Sequence, residues 1–315
     1  MITPLNNVYV ALHHVLRGYK SMKITITGCN GQLGSELRKI LRNGVSELGS
    51  IPETLMGAEL DCIDIGELDI TDFSASLNHT LAFTPDIIIN CAAFTNVDMC
   101  ETHEDEAYRV NAIGARNMAI CAERVGAKMI HISTDYVFSG NAEKPYSEYD
   151  LPDPKSIYGL TKLAGENFVR DFSTKWFIVR TSWLYGYKGG NFVKKIMSLA
   201  KEQNSIKVVA DQIGNPTNAA DLAHHILKIA AAYEYGLYHC TGSGECSWHD
   251  FAVKIIKYSG IDADVCPCRS AEYPSRVKRP SYSSLDHRML RLTVGDEMRK
   301  WQDALKYFIE HYRGE

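Results

Sequence analysis

Short apolar runs alternate with helical patterns through the first 181 residues, and this alternation is the strongest constraint on the fold. The runs occupy residues 23–27, 59–64, 86–90, 128–133 and 176–181. Their continuous apolar character is typical of strands that are buried on both faces of a parallel sheet. Helical periodicity lies between the runs, most clearly at residues 32–42 and 104–125. The series predicts an α/β fold built on a Rossmann-type, doubly wound parallel sheet.

The pattern changes after Thr181, where glycine, proline and aromatic residues become more frequent. We therefore predict a nucleotide-binding domain over residues 22–181 and a smaller, substrate-binding lobe over residues 182–315. Residues 211–231, with a helix from Ala219, are a candidate return to the first domain. Residues 1–21 are predicted to be an appendage with a short amphipathic helix, because they lack the apolar region and cleavage site of a signal peptide.

The composition is that of an ordinary globular protein, with 45% hydrophobic and 23% charged residues. The net charge of −4 gives no reason to expect nucleic acid or a membrane surface as a partner. No apolar run reaches the roughly 20 residues that a membrane-spanning helix needs. The nine cysteines lack zinc-ligand spacing, which predicts free thiols and a cytoplasmic protein.

A glycine-rich turn joins the first predicted strand to the first predicted helix. Gly28, Gly31 and Gly34 let the backbone turn tightly and approach a diphosphate, and the helix N-terminus points N–H groups at that group. Three glycines at this spacing are a weak signal alone, since such turns also exist for steric reasons. Placed between a strand and a helix, they predict nucleotide binding.

An acidic residue at the end of the second strand would hold the adenosine ribose, and Asp64 is the candidate. It comes later than the usual spacing, which an apparent loop insertion at residues 43–57 explains. A solvated loop aspartate is the alternative reading. Asp69 and Ile70 are expected to flank the adenine, and the small residues Ala92 and Ala93 to let a flat cofactor lie against the backbone. Because an acid repels the 2′-phosphate of NADPH, NADH is an equally good candidate cofactor.

Tyr158 and Lys162 lie four residues apart on one predicted helix, so their side chains share a face. A nearby ammonium favours the phenolate, so we expect Lys162 to lower the pKa of Tyr158 from about 10. Thr134, at the carboxyl end of the run 128–133, could hydrogen-bond a substrate carbonyl beside Tyr158. An isolated pair of this kind is commonly a tyrosine packed on a lysine stem. With the glycine turn and the upstream hydroxyl, it predicts a reductase or dehydrogenase.

Four longer motifs narrow this prediction. They are Ser-Thr-Asp-Tyr-Val-Phe at 133–138, Tyr-Gly-Leu-Thr-Lys-Leu-Ala-Gly-Glu at 158–166, Arg-Thr-Ser-Trp-Leu-Tyr-Gly at 180–186 and Asp-Gln-Ile-Gly-Asn-Pro-Thr at 211–217. In this order they resemble the dTDP-4-dehydrorhamnose reductase family of the extended short-chain dehydrogenase/reductase superfamily. The likeness runs from Lys23 to about Tyr312. It implies that NADPH or NADH delivers hydride to C4 of dTDP-4-dehydro-β-L-rhamnose, which gives dTDP-L-rhamnose.

The resemblance also implies roles for individual residues. Tyr158 would be the proton donor, Lys162 its partner and a ligand of the cofactor, and Thr134 the group that tunes Tyr158. The substrate would contact Thr134, Asp135, Trp183 and Asn191, and the cofactor would also contact Asn30, Gln32, Leu33 and Thr95. A basic cluster of Arg269, Arg276, Lys278 and Arg279 matches the family's C-terminal pattern, with Arg279 the best candidate for the diphosphate and a solvated basic loop as the alternative.

Some family members bind Mg²⁺ at a dimer contact, and Glu36 matches one such position, so Mg²⁺ and a homodimer are possible here. A glutamate in a first helical turn needs no metal to explain it. Two other functions stay open. One is a cofactor-binding regulatory subunit without turnover, like the β subunit of methionine adenosyltransferase. The other is a different nucleotide-sugar enzyme, such as an epimerase or a dehydratase, although no glutamate follows Thr134-Asp135 as a dehydratase would need.

Overall fold

The structure is a computed structural model that describes residues 21–272, 277 and 279–314. The amphipathic helix predicted before residue 21, and two members of the basic cluster, Arg276 and Lys278, lie outside the described residues. The strands are β1 (Lys23–Thr27), β2 (Val45–Ser46), β3 (Gly49–Ser50), β4 (Glu59–Ile63), β5 (Ile87–Asn90), β6 (Lys128–Thr134), β7 (Trp176–Thr181), β8 (Leu184–Tyr185), β9 (Ser205–Val209), β10 (Ile213–Gly214), β11 (Thr217–Asn218), β12 (Gly236–His239), β13 (Cys246–Ser247) and β14 (Asp264–Cys268).

Six of these strands form one parallel sheet in the order β12-β7-β6-β5-β1-β4. The five predicted strands lie in this sheet, and the predicted Rossmann-type fold is confirmed. After β1 the chain adds β4 on one side and then β5 on the other. Such a switch point opens a crevice at the carboxyl ends of the strands, where ligands bind in sheets of this type.

The helices are α1 (Gln32–Asn43), α2 (Phe73–Phe83), α3 (Val97–Cys100), α4 (Glu104–Tyr108), α5 (Ala115–Val125), α6 (Ile157–Phe172), α7 (Phe192–Glu202), α8 (Ala219–Ala231), α9 (Trp248–Ser259), α10 (Arg288–Leu292) and α11 (Trp301–His311). Short 3₁₀ turns occupy Glu53–Leu55, Asp135–Val137 and Ser270–Glu272. The single helix predicted at 104–125 is instead α4, a π-helical segment at Arg109–Gly114, and α5. Segments of this kind often mark functional sites.

Helices cover both faces of the sheet, as its apolar strands require. On one face Leu37 of α1 and Leu222 of α8 share a buried cluster with Ile24 and Ile26 of β1. On the other face Met118 of α5 and Val169 of α6 pack with Ile88, Met129 and Ile178. The central strands are therefore sealed from water, and polar side chains can reach a ligand mainly at the strand ends.

A second core, formed by α7, α9 and α11, contains Val193, Ile196, Phe251, Leu305 and Phe308. Between its segments the chain returns to the main sheet, where α8 packs against α1 and β12 pairs with β7. The division into lobes at residue 181 stays a prediction. Strand β12 was not predicted, because its four residues carry no alternating or continuous apolar pattern.

Candidate active site

The glycine turn follows β1 directly. Gly28 has a φ of +64°, and a Cβ atom there would lie 2.8 Å from the backbone N of Ala92. A Cβ on Gly34 would lie 2.3 Å from the carbonyl oxygen of Gly28. Both positions therefore require glycine, because the turn, the start of α1 and the end of β5 are packed backbone to backbone. This packing leaves the N-terminus of α1 open to the crevice, as a diphosphate requires.

A cavity of about 700 Å³ runs from this turn along the carboxyl ends of the strands. It brings together most of the predicted site residues. They are Gly28, Gly31, Gln32, Leu33, Gly34, Asp64, Asp69, Ile70, Ala92, Ala93, Thr95, Thr134, Asp135, Tyr158, Lys162 and Trp183. We call this space the first cavity. Asn30, Asn191 and Arg279 are not among the described residues that line it.

Asp64 is held at the end of β4, beside the glycine turn. Its Oδ2 accepts a hydrogen bond from Asn30 N at 2.9 Å, and its Oδ1 accepts one from Ile65 N at 2.8 Å. Asn30 thus contributes through its backbone, and its exposed side chain lies 3.5 Å from Nη1 of Arg38. The carboxylate keeps free lone pairs for a ribose hydroxyl.

The reacting groups lie on α6 and at the end of β6. Ser156 caps α6, accepting from Gly159 N at 3.1 Å, and so fixes the first turn that carries Tyr158. Lys162 Nζ donates to the carbonyl oxygen of Ile132 at 2.6 Å. Thr134 Oγ1 donates to Asp135 Oδ1 at 3.0 Å. Thr134, Asp135 and Lys162 are buried and Tyr158 is half-buried, and all four line the first cavity.

Burial dominates the electrostatics of this end of the cavity. It raises the pKa of Tyr158, and a hydrogen bond with Thr134 opposes that rise. The structure corrects the expectation that Lys162 lowers the pKa of Tyr158, because the ammonium is turned towards the Ile132 carbonyl. Burial lowers the pKa of Lys162 to about 8, against the charge of Glu166. Burial also raises the pKa of Asp135 to about 6.

A buried ion pair fixes the catalytic helix to the sheet. Glu166, on the same face of α6 as Lys162, accepts from Arg180 Nε at 2.8 Å and Nη2 at 2.7 Å. Ser133 Oγ also donates to Glu166 Oε1, at 2.6 Å. Ser133 on β6 pairs with Arg180 on β7. Ser133 lies one position before Thr134, and Arg180 lies three positions before Trp183. Ser133, Glu166 and Arg180, which belong to the motifs but had no predicted role, therefore fix the catalytic helix against the strands that carry the reacting residues.

Asn111, in the π-helical segment, was not predicted as a site residue. It accepts from Phe94 N at 2.8 Å, and its Nδ2 donates to Phe94 O and to Thr161 Oγ1, both at 3.1 Å. These bonds join the loop after β5, which lines the first cavity, to α6. An asparagine inside an apparently regular helix gives no sequence signal for this role.

Trp183 has a strained backbone, with a φ of +46°. Its ring stacks on Trp248 of α9, with ring centroids 3.5 Å apart and the planes 6° from parallel. Trp183 lines the first cavity, whereas Trp248 lines a second cavity of about 1140 Å³. The stacked rings therefore form a wall between the two spaces. Trp248 was not predicted, because a lone tryptophan at a helix start resembles a core residue.

The second cavity lies between α3 and the C-terminal core. Its walls include Asp98, Phe192, Lys195, Lys207, Gln212, Trp248 and Arg279. Arg279 Nη2 lies 3.3 Å from Asp98 Oδ2 and so closes an ion pair across this space. Asn191, predicted to contact substrate, instead caps α7 and donates to Gln32 Oε1 at 3.1 Å. It lines neither cavity among the described residues, and its substrate contact stays a prediction.

Glu36, the candidate Mg²⁺ ligand, is buried in α1 and lies 3.4 Å from Lys39 Nζ. Across the described parts of the chain, no group of three or more histidine, cysteine, aspartate or glutamate residues is arranged to hold a metal ion. Mg²⁺ therefore has no support. Over the same residues no helix is both long and apolar enough to cross a bilayer. The homodimer and the cytoplasmic location stay predictions.

The parallel sheet, the glycine turn and the Tyr158–Lys162 pair define a nicotinamide-dependent oxidoreductase fold of the extended short-chain dehydrogenase/reductase class. A family model described as the RmlD substrate binding domain matches residues 22–314. The chain belongs to this family, the dTDP-4-dehydrorhamnose reductases. The family predicted from the four motifs is thereby confirmed.

Individual relatives are similar over nearly their whole length. The crystal structure of a dTDP-4-dehydrorhamnose reductase from Clostridium acetobutylicum is 47% identical, with a TM-score of 0.87, and the match covers 92% of this chain and 99% of that one. The enzyme from Bacillus anthracis, solved in complex with NADP, is 44% identical with a TM-score of 0.86 and the same coverage. The spore coat polysaccharide biosynthesis protein SpsK of Bacillus subtilis is 39% identical over 289 residues, which are 91% of this chain and 97% of SpsK.

Proposed function

We propose that this chain reduces the C4 keto group of dTDP-4-dehydro-β-L-rhamnose to give dTDP-L-rhamnose, with NADPH or NADH as the reductant. One observation carries the proposal: the first cavity joins the glycine turn at one end to Thr134, Tyr158 and Lys162 at the other. A dinucleotide is long enough to need both ends of such a crevice. The family membership supports the same reaction.

The lining of the first cavity fits a polar ligand. Asp135 Oδ2 and Thr181 Oγ1 line it, are buried, and have no hydrogen-bond partner among the described residues. Buried polar atoms in proteins are almost always hydrogen-bonded, so these two atoms favour a ligand with hydroxyl or carbonyl groups. Gly31, where an added Cβ would meet only the Gly28 carbonyl oxygen among the described residues, supplies a close approach for a diphosphate.

The chain's own residues would move one proton in this reaction. When bound, the reduced nicotinamide supplies the hydride. Tyr158 would give its hydroxyl proton to the substrate oxygen as the carbonyl becomes an alcohol, and solvent would later restore that proton. Thr134 would orient the oxygen and, through its hydrogen bond with Tyr158, stabilise the phenolate left there, while Lys162 would hold the cofactor. Because burial raises the pKa of Tyr158, this phenolate needs such a partner.

The second cavity offers a place for the dTDP part of the substrate. Arg279, Lys195 and Lys207 line it and suit a diphosphate, and Phe192 and Trp248 suit a flat base. The Trp183–Trp248 wall separates this space from the reacting groups. In this arrangement the nucleotide would be held on one side of the wall, and the keto sugar would reach Tyr158 on the other.

The test is a coupled assay in which a 4,6-dehydratase and a 3,5-epimerase supply the keto sugar and the loss of NADPH or NADH is followed. We expect substrate-dependent oxidation of the cofactor and formation of dTDP-L-rhamnose. Tyr158→Phe should lower kcat by about 10²- to 10⁴-fold and leave cofactor affinity near that of the parent. The matched control is Tyr136→Phe, which should keep most of the turnover. The Tyr136 ring meets the Tyr158 ring edge-on, with the ring centroids 5.5 Å apart. Cofactor binding without any oxidation would instead indicate a regulatory subunit.

A further inference from the structure

A row of buried polar side chains lies behind Lys162. Thr27 Oγ1 donates to Asn90 Oδ1 at 2.6 Å, the other end of the same carboxamide lies 3.2 Å from His131 Nδ1, and His131 Nε2 lies 3.4 Å from Lys162 Nζ. None of the four side chains is more than 2% exposed. Desolvating such groups costs free energy, so a row of this kind needs a reason beyond packing.

The pairing of the strands in the sheet aligns the residues of this row. Thr27 pairs with Asn90 between β1 and β5, and Asn90 pairs with His131 between β5 and β6. Residues paired in this way on parallel strands point to the same face of the sheet. The flanking positions on β5 and β6 are the isoleucines Ile88, Ile89, Ile130 and Ile132. The polar row therefore interrupts an apolar core along one line, and that line ends at the catalytic lysine.

The row gives Lys162 a second hydrogen-bond acceptor. An ammonium donates and cannot accept, and Ile132 O occupies one of its donors. Burial and the charge of Lys162 hold the pKa of His131 well below its ordinary value of 6.5, so the ring is neutral. With the ring proton on Nδ1, Nε2 has a lone pair for the ammonium, and Nδ1–H needs an acceptor. A half turn of the Asn90 amide places its oxygen there and its NH2 against Thr27 Oγ1, which then accepts this hydrogen bond instead of donating it.

We propose that His131 is a positioning residue for the reduction, and that its Nε2 holds the Lys162 ammonium where it meets the cofactor in the first cavity, while Asn90 and Thr27 fix the imidazole ring. The inference rests on the proposed function, because Lys162 matters to turnover only if the cofactor that it holds takes part in the reduction. Among the described residues, three titratable groups face Lys162. His131 faces it from β6, Cys91 from the end of β5, and Glu166 from the next turn of α6. Of these, His131 alone is a neutral acceptor within hydrogen-bond reach.

Three substitutions separate this role from simple packing. His131→Gln places an amide oxygen near the position of Nε2 and keeps the acceptor for Lys162. His131→Asn places its amide near Nδ1, so it keeps the contact with Asn90 and loses the contact with Lys162. His131→Leu loses both contacts. Thermal unfolding of each variant monitors the loss of stability, which a purely structural residue would also cause.

We expect kcat to fall roughly tenfold in His131→Asn and His131→Leu, with KM little changed, because one hydrogen bond to a charged group is lost. The alkaline limb of the pH–kcat profile, where Lys162 loses its proton, should move down by about one pH unit in the same two variants. His131→Gln should keep both values near those of the parent. Equal losses in all three variants, or losses that follow stability alone, would overturn the proposal.

A second readout needs no turnover. In protein labelled with ¹³C-lysine, the Lys162 ¹³Cε resonance, assigned with Lys162→Arg, reports the pKa of Lys162 directly. We expect this pKa to fall by about one unit in His131→Asn and His131→Leu and to stay unchanged in His131→Gln. If the variants show this pattern of Lys162 pKa values but the parent never oxidises the cofactor, the proposed function is wrong and the His131–Lys162 contact is supported. If the parent oxidises the cofactor and the pKa of Lys162 is the same in all His131 variants, the His131 proposal is wrong and the proposed function is unaffected.

Discussion

The two cavities are built in different ways. Around the first cavity the reacting side chains are fixed by buried partners: Lys162 by Ile132 O and His131, and Thr134 by Asp135. Around the second cavity Arg279 is 39% exposed and pairs with Asp98, which is 47% exposed. Proton transfer needs atoms held within hydrogen-bond reach, whereas an anion can be met by a flexible arginine. The difference indicates a rigid site for chemistry beside an adjustable site for recognition.

The largest expected effect is in the rigid region, at the pair formed by Glu166 and Arg180. Both side chains are no more than 1% exposed, and without Arg180 the buried Glu166 keeps only the part-exposed Arg170, 3.1 Å from its Oε2, as a charged partner. We expect Arg180→Met to lower the free energy of unfolding by about 3–5 kcal/mol, measured by urea denaturation. Arg180 Nη1 is already unpartnered among the described residues, so its remaining bonds to Glu166 carry the interaction.

A matched control lies on the surface. Lys155 and Asp153 form an ion pair in which both side chains are more than half exposed, and Lys155→Met should cost less than about 1 kcal/mol. The double variant Arg180→Met, Glu166→Gln should regain part of the loss, because no buried charge is then left unpaired. If Arg180→Met costs no more than Lys155→Met, the first cavity is not held by this pair, and the contrast between the regions fails.

The next effect is on recognition, at Arg279. Arg279→Ala should raise KM for the dTDP-sugar about 10- to 100-fold through loss of hydrogen bonds to a charged group, with kcat nearly unchanged. Asp98→Ala should lower KM slightly, because Asp98 competes with the diphosphate for Arg279 in this structure. Steady-state kinetics with varied sugar and saturating cofactor separates the two constants.

If Arg279→Ala lowers kcat by as large a factor as it raises KM, Arg279 acts in the chemical step and not only in substrate binding. Lys300→Ala is a suitable control: Lys300 lines neither cavity among the described residues, and its change should leave KM unaltered. The opposite responses expected for Arg279 and Asp98 make this test sharper than a single substitution.

Sequence reasoning reached most of the first cavity and little of the second, for a physical reason. The strands of the sheet are continuous apolar runs, and Gly28, Tyr158 and Lys162 have spacings that a turn and a helix impose. Phe192, Trp248 and Arg279 come from separate elements, and only tertiary packing brings them to one space. Strand β12 pairs with β7 through backbone bonds, and Arg109–Gly114 shares the apolar pattern of an α-helix. The place of His131 inside an apolar run predicts only a strand residue.

The last expected effect concerns Asp135, where function and stability conflict. Its pKa is about 6 in the folded protein against an ordinary value of 3.8, because burial disfavours the charged form. Folding therefore takes up a proton between these values, so the stabilisation is full below pH 3.8 and is lost as the pH rises through 6. At pH 7.5 the buried carboxylate weakens the fold, and Asp135→Asn should raise the free energy of unfolding by on the order of 1–3 kcal/mol.

This gain should shrink as the pH falls towards 4, whereas the exposed Asp153→Asn should show no such trend. Turnover should fall in Asp135→Asn if the unpartnered Oδ2 accepts a hydrogen bond from the sugar. A stabilised and inactive variant would mean that the rigid region keeps a destabilising charge for the sake of its substrate. If the difference in the free energy of unfolding between Asp135→Asn and the parent is the same at pH 7.5 and pH 4, Asp135 carries no such penalty, and the first cavity is rigid without being strained.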